Sequence, residues 1–134
     1  MVTGIHHINF LVRDLESAVA RYQQLLGVSE VLYGDLAGRE VRTARFRVGD
    51  VWWVLVQPTT NGSVAARHLE QHGEGFFLLS LEVDSLDAAM AQVTSAGGEF
   101  ANVEPRQGLA DWQVIDLNAE QFFGTQLQLC ESSD

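Results

Sequence analysis

The sequence predicts an α+β domain built from two tandem βαβββ units, on three observations. The stretch Gly4–Gly27, GIHHINFLVRDLESAVARYQQLLG, returns as Gly75–Gly98, GFFLLSLEVDSLDAAMAQVTSAGG, at a constant offset of 71. Within each copy an alternating pattern gives way to helical spacing, the signature of a strand followed by a helix. After each helix come three short stretches rich in β-branched and aromatic residues, separated by glycine.

The elements follow in order. Along Ile5–Val12, Ile8, Phe10 and Val12 fall on one face, and His7, Asn9 and Leu11 on the other. His6 falls on the helix side by the same alternation. Asp14 suits an N-cap, and Leu15, Ala18, Val19, Tyr22, Leu25 and Leu26 recur at helical spacing before Gly27 stops the helix. Strands are expected at Val28–Tyr33, Val41–Val48 and Val51–Val56, with Gly49-Asp50 as a tight hairpin turn and Pro58 as the end of the sheet segment. Ser63, the run VAARHLEQH and Gly73 read as a connector helix with cap and stop. The second copy predicts a strand at Phe76–Val83, a helix at Leu86–Ala96, and strands near Glu99–Val103, Trp112–Leu117 and Thr125–Cys130. One domain, 1–134, would thus hold a first unit 4–58, a connector 59–74 and a second unit 75–131.

One such unit cannot bury both sheet faces alone. The copies are therefore expected to pair as a cup-shaped, partly closed sheet, helices outside, with a small-molecule ligand in the cup. Alternation lines the cup with His7 and Asn9; Trp52, Val54 and Val56; Leu78, Ser80 and Glu82; Gln126, Gln128 and Cys130. Trp53, Leu55, Phe77, Leu79, Leu81, Leu127 and Leu129 fall on the opposite, apolar side.

Composition excludes several classes of partner. Eighteen acids against eight bases give a net charge of −10, which repels nucleic acid and anionic membrane surfaces. The longest apolar run, Val51–Val56, is too short to span a bilayer, and MVTGIHHINF lacks the pattern of a signal peptide. A single cysteine, Cys130, permits no internal disulfide, so a reducing, cytoplasmic setting is expected.

The segments GIHHINFLVRDLESAVARY, VLVQP, HLEQHGEGFFLLSLEVDSLDAAM and VIDLNAEQFFGTQLQLCE give the chain its kinship. It resembles the vicinal oxygen chelate superfamily, which includes glyoxalase I, methylmalonyl-CoA epimerase, extradiol dioxygenases and bleomycin-binding proteins, and it resembles the epimerase branch most. The resemblance implies a homodimer and a divalent metal held by four side chains, which here fall on His7, Val54, Leu78 and Gln128. Only His7 matches. Gln128 stands where an epimerase has glutamate, and Val54 and Leu78 offer no donor atom. A one-residue slip brings in Phe77, Trp53 or Leu55, none of them a ligand. No metal and no cofactor are therefore expected. Glu40 lies near the branch's catalytic glutamate without a secure alignment.

The residues themselves suggest His7 as general acid or base, with Gln128 as its catalytic partner and Asn9, Ser80 and Gln126 orienting a carbonyl or hydroxyl. Trp52 and Trp112 can stack on a flat ligand, and Val54 and Leu78 make the centre of the cup apolar. Glu82 reads as a rim carboxylate, His68 and His72 as a helix-end pair, Cys130 as filler, and Arg39, Arg42, Arg45 and Arg47 as charges split between two strand faces. The expected function is a metal-independent isomerase, epimerase or lyase acting on a small, partly apolar molecule. The alternative is a protein that sequesters a drug or metabolite, and behind both stands a metal-dependent epimerase or lactoylglutathione-lyase-like enzyme.

Overall fold

A computed structural model describes Met1–Ser133. The elements are β1 (Val2–Leu11), α1 (Leu15–Leu26), β2 (Leu32–Leu36), β3 (Val41–Val48), β4 (Val51–Pro58), α2 (Val64–His72), β5 (Gly75–Val83), α3 (Leu86–Ser95), β6 (Arg106–Gln107), β7 (Gln113–Asp116) and β8 (Leu127–Glu131). The order βαβββ thus occurs twice, with α2 between the copies, and the α+β class read from the repeat is the one observed. The chain forms two compact units, one of Ile8–Phe77 and one of residues 1–7 with the chain from Leu78 on. Their boundaries fall inside β1 and β5.

In the unit Ile8–Phe77 the strands run β2-β3-β4, followed by the C-terminal half of β1. The β3–β4 hairpin closes at Val48↔Val51 over Gly49-Asp50, where Gly49 takes φ 61, a left-handed value that glycine adopts without steric cost. Leu15 and Val19 of α1 pack on Ala44, Phe46 and Leu55, flanked by Phe10, Val12, Tyr22 and Trp53. Phe10, Val12, Trp53 and Leu55 of that set lie on the apolar side that alternation assigns to the helix. Each fully buried leucine there contributes about 1.5–3 kcal/mol. The Asp14 carboxylate accepts from the Ser17 N–H at 3.0 Å, and Gly27, at φ 68, ends the helix.

The first strand after α1 lies later than expected, at Leu32–Leu36 instead of Val28–Tyr33. Glu30 at φ 54 breaks the extended run. Gly34, beyond the expected strand end at Tyr33, is paired inside the strand with Thr43, whose hydroxyl donates to the Gly34 carbonyl at 2.7 Å.

In the other unit the order is the N-terminal half of β1, then β5-β8-β7-β6, with β5 and β8 parallel and β8 and β7 antiparallel. Val83, Leu86, Ala89, Ile115, Leu117 and Leu129 form its core, with Leu81 and Leu127 packed against it. Ser85 caps α3 by accepting from the Ala88 N–H at 3.1 Å, and Glu131 Oε1 accepts from the Leu86 N–H at 2.7 Å.

The expected strand at Glu99–Val103 is a loop bearing one bridge, Phe100↔Leu117, and β6 is displaced to Arg106–Gln107. Asn102 accounts for the change. Its Oδ1 accepts from the Asp116 N–H and from Arg106, both at 3.2 Å, so a side chain takes the place of a ladder bond.

The matched glycines of the repeat also differ in purpose. Gly27 supplies the left-handed turn after α1, but after α3 that conformation belongs to Gly97, at φ 83. Gly98 is required for space, since a Cβ there would lie 2.7 Å from Val93 Cγ1.

Candidate functional site

The first strand delivers two histidines to one place. His6 and His7 are both buried, and their Nδ1 atoms lie 2.8 Å apart. Alternation sends their Cβ atoms to opposite faces, yet each imidazole turns on two further bonds, and both rings reach Trp112. The His7 ring stacks on the indole at 4.5 Å between centroids and 22° between planes, and the His6 ring meets it edge-on at 4.7 Å. His6 Nε2 lies 2.8 Å from Ser132 Oγ. His6 is therefore part of the His7 environment and does not join the helix-side core.

Trp112 is fixed by its own tight loop. Its N–H donates to the Leu109 carbonyl at 2.9 Å, and its carbonyl accepts from the Gly108 N–H at 2.7 Å. The residue stands just before β7 (Gln113–Asp116), beside the position expected for a strand start.

The pairing of β5 with β8 sets Ser80 beside Gln128. Both are buried, and Ser80 Oγ and Gln128 Oε1 have no hydrogen-bond partner. Buried polar atoms in folded proteins are almost always paired, so two orphans on register neighbours mark a place suited to a polar group from outside the chain. The amide of Gln128 is held from its other end. Its Nε2 donates to Asp116 Oδ1 at 3.0 Å, while Arg106 donates to Asp116 Oδ2 at 2.7 Å. The chain Arg106–Asp116–Gln128 fixes which way the amide points and leaves its oxygen unpaired. Leu78, two residues before Ser80, is buried, and Gln126 is half-buried at the approach to β8.

The remaining residues read as ligand-binding belong to the unit Ile8–Phe77. Val54 and Trp52 are buried, and the β3–β4 register sets Arg45 opposite Val54 and Arg47 opposite Trp52. The guanidinium of Arg47 lies 4.0 Å from the Trp52 ring centroid and that of Arg45 lies 5.1 Å away, a cation–π arrangement. Arg42 reaches Glu16 instead, at 2.8 Å, and that carboxylate holds its guanidinium above the usual arginine range. The arginines are split between the two faces, as alternation requires. Asn9 Oδ1 is buried without a partner.

An open groove of about 980 Å³, with Tyr22, Leu26, Val28, Phe46, Trp52 and Trp53 in its wall, lies in the same unit. It carries none of the paired polar groups seen around His7 and Gln128. Glu40 is exposed in a left-handed conformation after a 3₁₀ turn, and Glu82 accepts from the Thr3 hydroxyl at 2.9 Å as a partly exposed carboxylate.

This fold and these residues define a class of protein. The chain belongs to the Glyoxalase/Bleomycin resistance protein/Dioxygenase superfamily, whose family model matches residues 6–115. Within it the chain is similar to methylmalonyl-CoA epimerases. It is 27% identical to the ethylmalonyl-CoA/methylmalonyl-CoA epimerase of Cereibacter sphaeroides over 96% of this chain and 98% of that one. Its structure matches that of the Mycobacterium tuberculosis methylmalonyl-CoA epimerase with a TM-score of 0.93 and 27% identity, covering 99% of this chain and 90% of that one. The Streptomyces coelicolor epimerase, solved with 2-nitronate-propionyl-CoA, matches with a TM-score of 0.94 and 24% identity over 100% of both chains. No helix among the described residues is long and apolar enough to cross a membrane.

The superfamily's metal does not fit the residues present here. Of the positions His7, Val54, Leu78 and Gln128, Val54 and Leu78 carry only carbon and hydrogen in their side chains. The Gln128 amide is neutral and tethered to Asp116, which leaves one imidazole and one uncharged oxygen as donors.

Of the residues expected at the site, the structure brings His7 against Trp112 and sets Ser80 beside Gln128; His6, Arg106 and Asp116, which adjoin them, were not among the expected site residues. Asp116 had a signal: it is a carboxylate in the otherwise apolar run Val114-Ile115-Asp116-Leu117, and such residues are seldom buried unpaired. Arg106, in the stretch between the expected strands Glu99–Val103 and Trp112–Leu117, had none.

Proposed function

We propose that this protein moves a proton at a carbon next to a carbonyl, in an epimerase-type reaction that does not use the superfamily's metal. The observation that carries the reading is the 2.8 Å separation of the two buried Nδ1 atoms. At that distance one nitrogen must bear the proton and the other the lone pair, so a proton donor and a proton acceptor share one buried place. With His6 Nε2–H donating to Ser132 Oγ, His6 Nδ1 accepts from His7 and the lone pair of His7 sits on Nε2. With the serine hydroxyl donating, the roles exchange. Either arrangement makes His7 a general acid or base and His6 the group that sets its tautomer.

Ser80 supplies a hydroxyl donor for a carbonyl oxygen that gains charge as the proton leaves. Gln128, held by Asp116, orients a substrate hydroxyl or amide through its unpaired oxygen. The relatives suggest acyl-CoA thioesters as the first substrate class. The test is deuterium uptake at the α-carbon of methylmalonyl-CoA in deuterium oxide with a chelator present. Exchange that persists with chelator and falls about 10²–10⁴-fold in His7→Ala supports the reading. No exchange with any acyl-CoA, or exchange abolished by chelator, overturns it.

A second reading, binding without turnover, is favoured by Trp52, whose indole lies 4.0 Å and 5.1 Å from two guanidinium groups in the strand that also carries the buried, apolar Val54. It predicts thermal stabilisation by aromatic compounds with no exchange chemistry.

A further inference from the structure

The same strand that carries His6 and His7 lies within reach of Cys130 on β8. One ring nitrogen from each histidine and the Cys130 sulfur all lie within 4.8 Å of one another, and all three residues are buried. We infer that these residues form a binding site for a thiophilic metal ion, with Zn²⁺ the ion of choice, sharing only His7 with the superfamily's ligand set. This rests on the geometry of the three side chains and not on the proton-transfer reading.

The chemistry of the set supports the assignment. Two imidazoles and a thiolate are borderline-to-soft donors that favour zinc or copper over magnesium and calcium. The thiolate brings the negative charge that the neutral amide of Gln128 lacks. Tetrahedral zinc, with bonds of about 2.0–2.1 Å to nitrogen and about 2.3 Å to sulfur, separates its ligand atoms by about 3.3–3.6 Å. The nitrogens at 2.8 Å must open slightly and the thiol must close in for the ion to reach these distances. Ser132 completes the arrangement: accepting from His6 Nε2–H, it directs the lone pair of His6 Nδ1 toward His7, the outer-shell hydrogen bond that metal-bound histidines commonly make.

Binding releases the thiol proton, while the proton shared between the rings moves to His7 Nε2, so that both imidazoles bind as neutral ligands. Three protein ligands leave a fourth position for water or a ligand heteroatom. A metal held here would take a nitrogen lone pair from His7, so it would inhibit proton transfer by that residue.

The test uses the full chain stripped of metal and titrated with Zn²⁺ against a chromophoric chelator, then with Co²⁺ as a spectroscopic stand-in. The expected result is one ion per chain and a thiolate-to-cobalt charge-transfer band. The band should vanish in Cys130→Ser, and zinc affinity should fall about 10–100-fold in His6→Gln. His72→Gln, which removes half of the helical His68/His72 pair, should change neither. X-ray absorption of the zinc-loaded wild-type chain needs no variant and should show one sulfur in the shell. No stoichiometric zinc, a shell without sulfur, or binding lost in His72→Gln and retained in Cys130→Ser overturns the inference.

Discussion

Gln128 donates through Nε2 to Asp116, its register partner across β7 and β8, while Arg106 holds the other carboxylate oxygen at 2.7 Å. One carboxylate thus orients an amide and is itself held by a cation, with Arg106 and Asp116 side chains only 26% and 21% exposed. The unpaired oxygen of Gln128 owes its direction to this chain of contacts.

Removing the central member should therefore cost more than a surface change. Asp116→Ala removes the acceptor that the Arg106 guanidinium and the Gln128 amide share, leaving Arg106 only Asn102, and is expected to lower stability by about 1–3 kcal/mol. Urea denaturation followed by circular dichroism checks this. A loss within a few tenths of a kcal/mol of zero would show that the network is idle.

Stability should also depend on pH through α2. The His68 ring lies 4.4 Å from that of His72 and 4.8 Å from that of Phe77. Burial, and secondarily the neighbouring His72, hold its pKa below the usual 6.5. The unfolded chain then binds more protons between the two values, so stability is fully present above about pH 6.5 and is lost as pH falls toward the folded value. Denaturation at pH 7.5 and 5.5 should show the drop, and His68→Gln should reduce it. An unchanged difference in His68→Gln would assign it elsewhere.

The two repeat glycines should respond differently to alanine. Gly98→Ala places a methyl group 2.7 Å from Val93 Cγ1 and 3.1 Å from the Val93 carbonyl, an overpacking expected to cost about 1–3 kcal/mol. Gly27→Ala meets nothing within 4 Å and is strained only by its φ of 68, at a cost of about 1 kcal/mol. Thermal melts of the two variants give the ranking directly.

Stacking of His7 on Trp112 gives a spectroscopic handle. His7→Ala removes the ring 4.5 Å from a buried indole and should shift and brighten the tryptophan emission, since imidazole quenches it on contact. Circular dichroism distinguishes this local change from unfolding, and unaltered emission would place the stack outside solution behaviour.

Much of this was legible in the residue order. The repeat, the caps Asp14 and Ser63, the Gly49-Asp50 hairpin and the helix-facing Trp53 and Leu55 follow from spacing, because amphipathic periodicity and capping are local properties of the chain. The departure of the second copy from the first at Leu78 and the absence of donors at Val54 were equally plain.

What only the tertiary structure decided are the relationships that depend on torsions and on chain segments far apart in sequence. Alternation fixes where a Cβ points but not where an imidazole ends, so the meeting of His6 with His7 could not be read from β1. Ser132, Trp112 and Cys130 join those residues across more than a hundred positions of sequence, and Asp116 meets Gln128, through strand pairings and loop closures that no local pattern encodes. The sequence by itself determined the scaffold and which side chains were available; long-range packing determined which of them became neighbours.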